Sequence, residues 1–221
     1  GYTFLGWATS SSATSAAYTN CQSVMNLTSI NGAMVDLYAV WSKIPTYTIS
    51  YNANGGTGAP ADQTKTKDVN LSLSSTVPIR TGYTFLGWST SSTATNATYQ
   101  AGGNFTTNAN TTLYAVWKAN TYGVRYNANG GSGSMSNSTH TYDVSKALSS
   151  NGFSRSGYTF LGWATSSSAT SASYTNCQSV MNLTSINGAM VDLYAVWSKI
   201  PTYTISYDAN GGSGAPADQT K

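Results

Sequence analysis

The chain contains no glutamate, a single histidine and two cysteines among its 221 residues, and charged side chains make up 8% of it, against about 25% in an average soluble domain. Each shortage removes a class of function. Paired carboxylates for acid–base work are not expected from seven aspartates spread over the copies of a repeat. His140, in the polar stretch SNSTHTYD, reads as a solvated loop residue and not as a base held beside a nucleophile. The net charge of +3 comes from scattered Lys and Arg with no basic run, so nucleic acid and anionic membrane find little electrostatic footing. No apolar run approaches the roughly 18 residues of a spanning helix, and no membrane insertion is expected within this window.

Cofactor chemistry is equally thin. No Gly-Lys-Ser/Thr follows the glycines, as a phosphate loop requires, and GGSGAPAD at Gly211 to Asp218 lacks the GGxGxD spacing of calcium repeats. Asp36 and Asp192 read as turn or cap residues, with a cation site as the sharper alternative. Cys21 and Cys177 occupy one position in two copies 156 residues apart, too far for an intrachain disulfide if the copies lie in a row. Each is expected to be a small buried thiol near Val24, Met25 and Leu27, the alternative being a link to a neighbouring chain.

What is present is a repeat. GYTFLGW opens at Gly1, Gly82 and Gly157, LYAVW at Leu37, Leu113 and Leu193, and YNANGG or YDANGG at Tyr51, Tyr126 and Tyr207. The steps of the first block are 81 and 75, so two unit lengths alternate. Residues 1–45 return as 157–201 with one change, Ala17 against Ser173. The organisation expected is the C-terminal part of a long repeat over 1–45, a complete short repeat over 46–120, a complete long repeat over 121–201 and the N-terminal part of another over 202–221. Gly1 starts, and Lys221 stops, in the middle of a unit, as in a window on a longer array.

Within a unit, Thr46 to Asn52 places Tyr47, Ile49 and Tyr51 on one face, the alternation of a half-buried strand. Asn54-Gly55-Gly56 then predicts a tight turn. Gln63 to Lys67 predicts a polar edge strand whose lysines discourage edge pairing. Asp68 to Ser75 alternates as a strand does, whereas its counterpart Asp143 to Leu148 has the look of a capped helical turn, so irregular or briefly helical backbone is expected there; Val24, Met25, Leu27 and Ile30 allow a short helix in the long excursion. Gly87, between Leu86 and Trp88, suggests a bulge or a close backbone approach. The core is expected to include Tyr47, Ile49, Tyr51, Leu71, Leu73, Ile79, Tyr83, Phe85, Trp88, Tyr99, Phe105, Leu113, Val116 and Trp117, while Tyr38, Tyr114 and Tyr194, beside core strand positions, are the aromatics best placed to stack on a sugar instead. Linkers of four or five residues, Lys118 to Thr121 and Ser42 to Thr46 with its stiffening Pro45, predict an array closer to a rod than to loose beads.

GYTFLGW with its following LYAVW and preceding YNANGG resembles the Listeria–Bacteroides repeat, related to the B repeats of internalin-type surface proteins. Tyr83, Phe85, Gly87 and Trp88 match GYxFxGW, Leu113, Tyr114, Ala115 and Trp117 match LYAxW, and Pro78 with Arg80 matches the proline and basic residue that precede it. The resemblance implies tandem β-grasp-like domains, mostly β or α+β, on an exported bacterial protein, with no catalytic residues. The expected function is a non-enzymatic, extracellular, cell-surface repeat protein forming a stalk or fibre. The alternative is an adhesin in which Thr19 to Val35 and its copy touch a host protein or glycan. Further copies of the repeat are the other expected partners, laterally or head to tail, Tyr203 to Asn210 of one chain adding a strand to Gly1 to Trp41 of the next.

Overall fold

The computed structural model describes every residue from Gly1 to Lys221, and it is built of sixteen strands with no helix. The chain divides into two compact units, residues 1–79 with 85–116 and residues 80–84 with 117–221.

In the second unit the opening strand, Thr121–Asn127, points Tyr122, Val124 and Tyr126 into the core. It pairs antiparallel with the return strand Ser138–Thr141 and parallel with the closing strand Met190–Lys199, which in turn pairs antiparallel with Tyr158–Ala164. The parallel pair therefore sits in the middle of a four-stranded sheet. Leu193 and Ala195 on one face of the closing strand and Val196 on the other are all buried, so this central strand is covered on both faces. A two-residue ribbon, Lys146–Ala147 with Ser179–Val180, brings Leu148 and Val180 onto the core formed by Tyr122, Val124, Tyr126, Phe153, Trp163, Leu193 and Ala195.

The first unit repeats this plan. Gln63–Thr66 pairs antiparallel with Thr46–Asn52, which runs parallel to Thr111–Ala119, and Tyr83–Ser89 lies on the far side. The last two strands continue beyond that unit by a few residues. Ile49, Tyr51, Leu73, Trp88, Phe105, Leu113, Ala115 and Val116 form its interior. Residues 1–45 add an antiparallel hairpin, Tyr2–Ala8 with Tyr38–Lys43.

The expected tight turn is present, and an asparagine makes it. Asn54 and Asn129 both stand at φ +49°, a left-handed conformation that Asn tolerates better than most residues. Each also uses its amide: Asn129 Nδ2 donates to the carbonyls of Ser167 and Ala195 at 3.0 and 2.9 Å, and Asn54 Nδ2 to those of Ser92 and Ala115 at 2.8 and 3.0 Å. One side chain thus ties the turn to the Ser/Thr-rich loop and to the closing strand.

Gly87 lies at a close backbone approach, and its counterparts Gly6 and Gly162 at bulges where the register shifts by one residue. A Cβ on Gly162 would stand 2.4 Å from the Tyr174 carbonyl oxygen and 2.7 Å from the Ala172 Cβ, and one on Gly87 would stand 2.5 Å from the Tyr99 oxygen. The absent side chain lets Trp163 exchange backbone hydrogen bonds with Tyr174, N to O at 2.8 Å and O from N at 2.9 Å. Its indole is turned fully into the core, against Tyr126 and Phe160.

Several expectations are corrected. The long excursion holds no helix: Cys177 and Asn182 adopt φ +58°, which interrupts any helical run, and Val180 is paired into the small ribbon instead. Of the two alternatives for the stretch after Asp143, irregular and briefly helical, the backbone takes the irregular one: Asp143 is at φ +59°, and the two-residue strand Lys146–Ala147 follows. Ile79 is 73% exposed because it stands in an isolated bridge with Thr57 on the outside. Lys65 does not guard the edge strand from solvent; it is buried, its ammonium donating to the Thr66 carbonyl at 2.9 Å and to Asn108 Oδ1 at 3.0 Å.

Gly162→Ala should lower the stability of the second unit by at least about 2 kcal/mol in denaturant unfolding, because strain at φ +144° adds to a backbone clash. Gly188→Ala, at φ +74° with nothing near its Cβ, should cost about 1 kcal/mol. Equal losses at the two positions would show that conformation alone, and not the close approach, requires the glycine.

Candidate functional site

The side chains that could carry chemistry are dispersed. His140 is buried, not solvated: its ring stacks on Tyr122 with centroids 5.6 Å apart, and its Nε2 pairs with Ser138 Oγ at 3.0 Å. Its Nδ1 has no hydrogen-bond partner. Burial, with a smaller contribution from the Lys146 charge, lowers its pKa. The same slot in the short repeat holds Lys65, opposite Tyr47 as His140 is opposite Tyr122, so the position is a structural lid over a tyrosine that two different bases can fill.

Asp192 is neither a cap nor a turn residue. It lies in the closing strand, where Arg125 clamps it through Nε and Nη2 at 2.5 and 2.8 Å. That bond, helped by Asn127, holds its carboxyl below the usual range. Asp36 lies outside any strand in residues 1–45. No group of three His, Cys, Asp or Glu side chains gathers anywhere in the structure. Cys21 and Cys177 are exposed, not buried, at φ +62° and +58°, because each sits in a tight turn closed by Gln22 or Gln178 on Thr19 or Thr175. Tyr38 is exposed, whereas Tyr114 and Tyr194 are half-buried.

The densest polar constellation is one that sequence reasoning missed, and it lies within the second unit where the short repeat hands over to the long one. Asn120 is buried with every polar group engaged. Its N–H donates to the Gly82 carbonyl at 2.9 Å and its carbonyl accepts from Tyr142 N–H at 2.9 Å. Its Oδ1 accepts from Thr84 Oγ1 at 2.7 Å and its Nδ2 donates to the Ser185 carbonyl at 2.8 Å. The long excursion then grips the residues that follow: Thr121 N–H donates to Asn187 Oδ1 at 3.0 Å, Gly188 N–H to the Thr121 carbonyl at 2.7 Å, and Gly123 N–H to the Ala189 carbonyl at 2.8 Å.

Beside this node, Gly82 lies so close to the Tyr142 ring that a Cβ would overlap it at 2.2 Å. Tyr83 meets the same ring edge-on at 6.0 Å, carries the Arg80 guanidinium 3.7 Å above its own ring, and donates its hydroxyl to Asp143 Oδ2 at 2.9 Å. Hydrogen bonds from Asn182 and then Tyr83 depress the Asp143 pKa, and the bond to Asp143 raises that of Tyr83. What this arrangement does is tie residues 80–84 and 117–120 to the return strand and excursion of the repeat that follows. The readable signal was the linker itself, since Lys-Ala-Asn-Thr after Trp117 differs from Ser-Lys-Ile-Pro-Thr after Trp41.

The sequence matches the Listeria-Bacteroides repeat domain over residues 1–40, 47–116 and 122–196. It is also similar to two proteins of Evansella cellulosilytica. One, described as a "Putative membrane protein", is 31% identical over 186 residues, 80% of this chain and 24% of that protein. The other, a "Putative Gly-rich membrane protein", is 31% identical over 142 residues, 61% of this chain and 16% of that protein. The chain therefore spans a quarter or less of the relatives it matches.

Because the folded His140 pKa lies below its unfolded value of about 6.5, its contribution is present above that pH and is lost as the pH falls through the folded value. The long repeat should thus lose stability on mild acidification, measured by denaturant midpoints at successive pH values. His140→Gln should flatten that slope, and an unaltered slope would place the acid sensitivity elsewhere.

Proposed function

Since the chain belongs to the Listeria–Bacteroides repeat family, we propose that it is a stretch of a non-enzymatic bacterial surface protein whose tandem repeats act as a stiff stalk. Each complete repeat is read as a β-grasp-like domain in which short ribbons and turns stand where that architecture carries a helix. The observation that carries the proposal is the interleaving at the joint. Residues 80–84 and 117–120, the end of the short repeat's last two strands, belong to the compact unit of the repeat that follows. Together with linkers of four or five residues, this placement of the short repeat's ends supports the stalk reading over loosely strung domains.

The chemistry fits an exported support. Surface polarity comes from Ser, Thr and Asn, which stay neutral over a wide pH range, and the relatives matched are described as membrane proteins. No helix of the structure is long and apolar enough to cross a membrane.

One observation favours an adhesive role as a second reading. Met181 and Ile186 of the long excursion are 54% and 67% exposed, while the backbone between and after them is occupied by the joint. Apolar side chains held out on an anchored loop offer a contact for a partner protein.

Small-angle scattering of the purified chain should give an elongated particle, and negative-stain images of longer arrays should show an axial period of one or two repeats. A compact profile would remove the stalk reading. Met181→Ser with Ile186→Ser should abolish binding to any host surface the chain adheres to, while leaving that profile unchanged.

A further inference from the structure

In the short repeat, a buried amine is set against a side-chain amide. Lys65 is 1% exposed, and its Nζ donates to the Thr66 carbonyl at 2.9 Å and to Asn108 Oδ1 at 3.0 Å. Both acceptors are neutral. A lysine amine is a nucleophile once it has given up its proton, and the carbon nearest to it here belongs to an amide that it already polarises.

That amide is held at both ends by one further residue. Asp68 stands at φ +59°, which turns its own N–H onto Asn108 Oδ1 at 3.0 Å and its carboxylate Oδ1 onto Asn108 Nδ2 at 2.6 Å. The orientation of the amide is fixed by this chemistry, since an ammonium and a backbone N–H only donate and an ionised carboxylate only accepts. Oδ1 thus faces two donors, and the Asp68 N–H stays in place when negative charge develops on that oxygen. The nitrogen on the other side is bonded to a group able to hand it a proton. Asn108 and Asp68 are exposed whereas Lys65 is not, so the amide opens to water on its leaving side. All these groups lie within the first unit.

We propose that the short repeat closes a covalent cross-link of its own, an amide between Lys65 Nζ and Asn108 Cγ, with Asp68 carrying the proton and ammonia leaving. The neutral amine forms the Nζ–Cγ bond while the π pair of the carbonyl moves to Oδ1. A proton passes from Nζ through the Asp68 carboxylate to Nδ2. The pair on Oδ1 then restores the carbonyl as the Cγ–Nδ2 bond breaks, and its electrons leave with the nitrogen as ammonia. Counted from the ammonium form, the first lysine proton departs with the ammonia as ammonium, so nothing is oxidised or reduced and no co-reactant is consumed. The product ties the return strand to a residue 43 positions later, just before the closing strand. The long repeat keeps the asparagine–aspartate pair, Asn182 with Asp143 at 2.8 and 2.6 Å, but has His140 where Lys65 stands. Without an amine it stays open. The inference goes beyond the stalk reading and holds whether the array is extended or compact.

Intact-mass spectrometry of the purified chain tests it. The wild type should weigh about 17 Da less than its sequence, one ammonia lost in forming the amide. Protease digests should contain one branched peptide joining Lys65 to Asn108, while the peptides holding His140 and Asn182 stay linear. Lys65→Arg keeps a cation that cannot lose its proton and should restore the full mass. Asp68→Asn tolerates the left-handed turn and still accepts from Asn108 Nδ2, but cannot carry a proton. It should slow the loss about a hundredfold or more, leaving full-mass chain when the wild type is converted. Full mass in a wild type whose Ile49 and Leu113 amides are protected as in a folded core overturns the inference. So does an ammonia loss found only in linear peptides, where an asparagine has cyclised onto its own backbone. Conversion of Asp68→Asn at the wild-type rate overturns the role given to Asp68.

Discussion

The structure turns on one close approach, the backbone of a glycine against the carbonyl of a tyrosine twelve residues later, at Gly162 and Tyr174 and again at Gly87 and Tyr99. Without a Cβ there, the chain can leave Trp163, make the Ser/Thr-rich loop and return to bond the same tryptophan's N–H and C=O. That closure fixes the indole in the centre of the core. It also leaves Trp88 and Trp163 Nε1 buried and unpaired, a cost of roughly 1–3 kcal/mol for each group. Both complete repeats carry the same unpaired indole, so the burial of two rings and their aromatic neighbours outweighs it in each. With so few charges and no glutamate, edge-to-face aromatic contacts and carbonyl-directed amides do what ion pairs do elsewhere.

Asparagine is the polar residue that makes this economy work. Asn54 and Asn129 take a left-handed turn and bridge two carbonyls, Asn108 and Asn182 close a turn on Asp68 and Asp143, and Asn120 joins four segments. An amide can donate and accept at once without carrying a charge into the interior, whereas a buried carboxylate or ammonium would need a partner for its charge. Lys65 is the exception, and it is met by a backbone carbonyl and another asparagine.

Much of the fold was legible in the sequence because its cues are local and periodic. The alternation of Tyr47, Ile49 and Tyr51, the turn at Asn54-Gly55 and the glycine before Trp88 each dictate backbone geometry within a few residues. The helix expected in the long excursion failed for the same reason in reverse. Val24, Met25, Leu27 and Ile30 allow a helix by composition, but Cys21 and Asn26 stand at φ +62° and +55°, as Cys177 and Asn182 stand at +58° in the second copy, and left-handed residues so close together end any helical run. His140 was misread because a polar neighbourhood in sequence says nothing about the ring of Tyr122 that lies beneath it. The joint was hidden because each of its parts, a Gly-Tyr, a Tyr-Asp and an Asn, is unremarkable until the chain brings them together.

The contrast between Asp68 and Asp143 shows how little is needed to turn a structural turn into a joint. Both are left-handed, and both are bonded through a carboxylate oxygen to an asparagine of the following excursion. Asp143 has one further bond, from Tyr83 of the preceding repeat, and Tyr142 beside it supplies the ring that Gly82 and Tyr83 pack against. At Asp68 the neighbour is Lys67, and the preceding linker carries one more residue, Pro45. An inserted residue lengthens the path between the closing strand and the next opening strand, and a lysine cannot offer a flat face in return. The two repeats therefore differ in what meets the turn after the return strand through changes confined to the linker, one side chain and the length of an excursion, with the core of each domain left as it is.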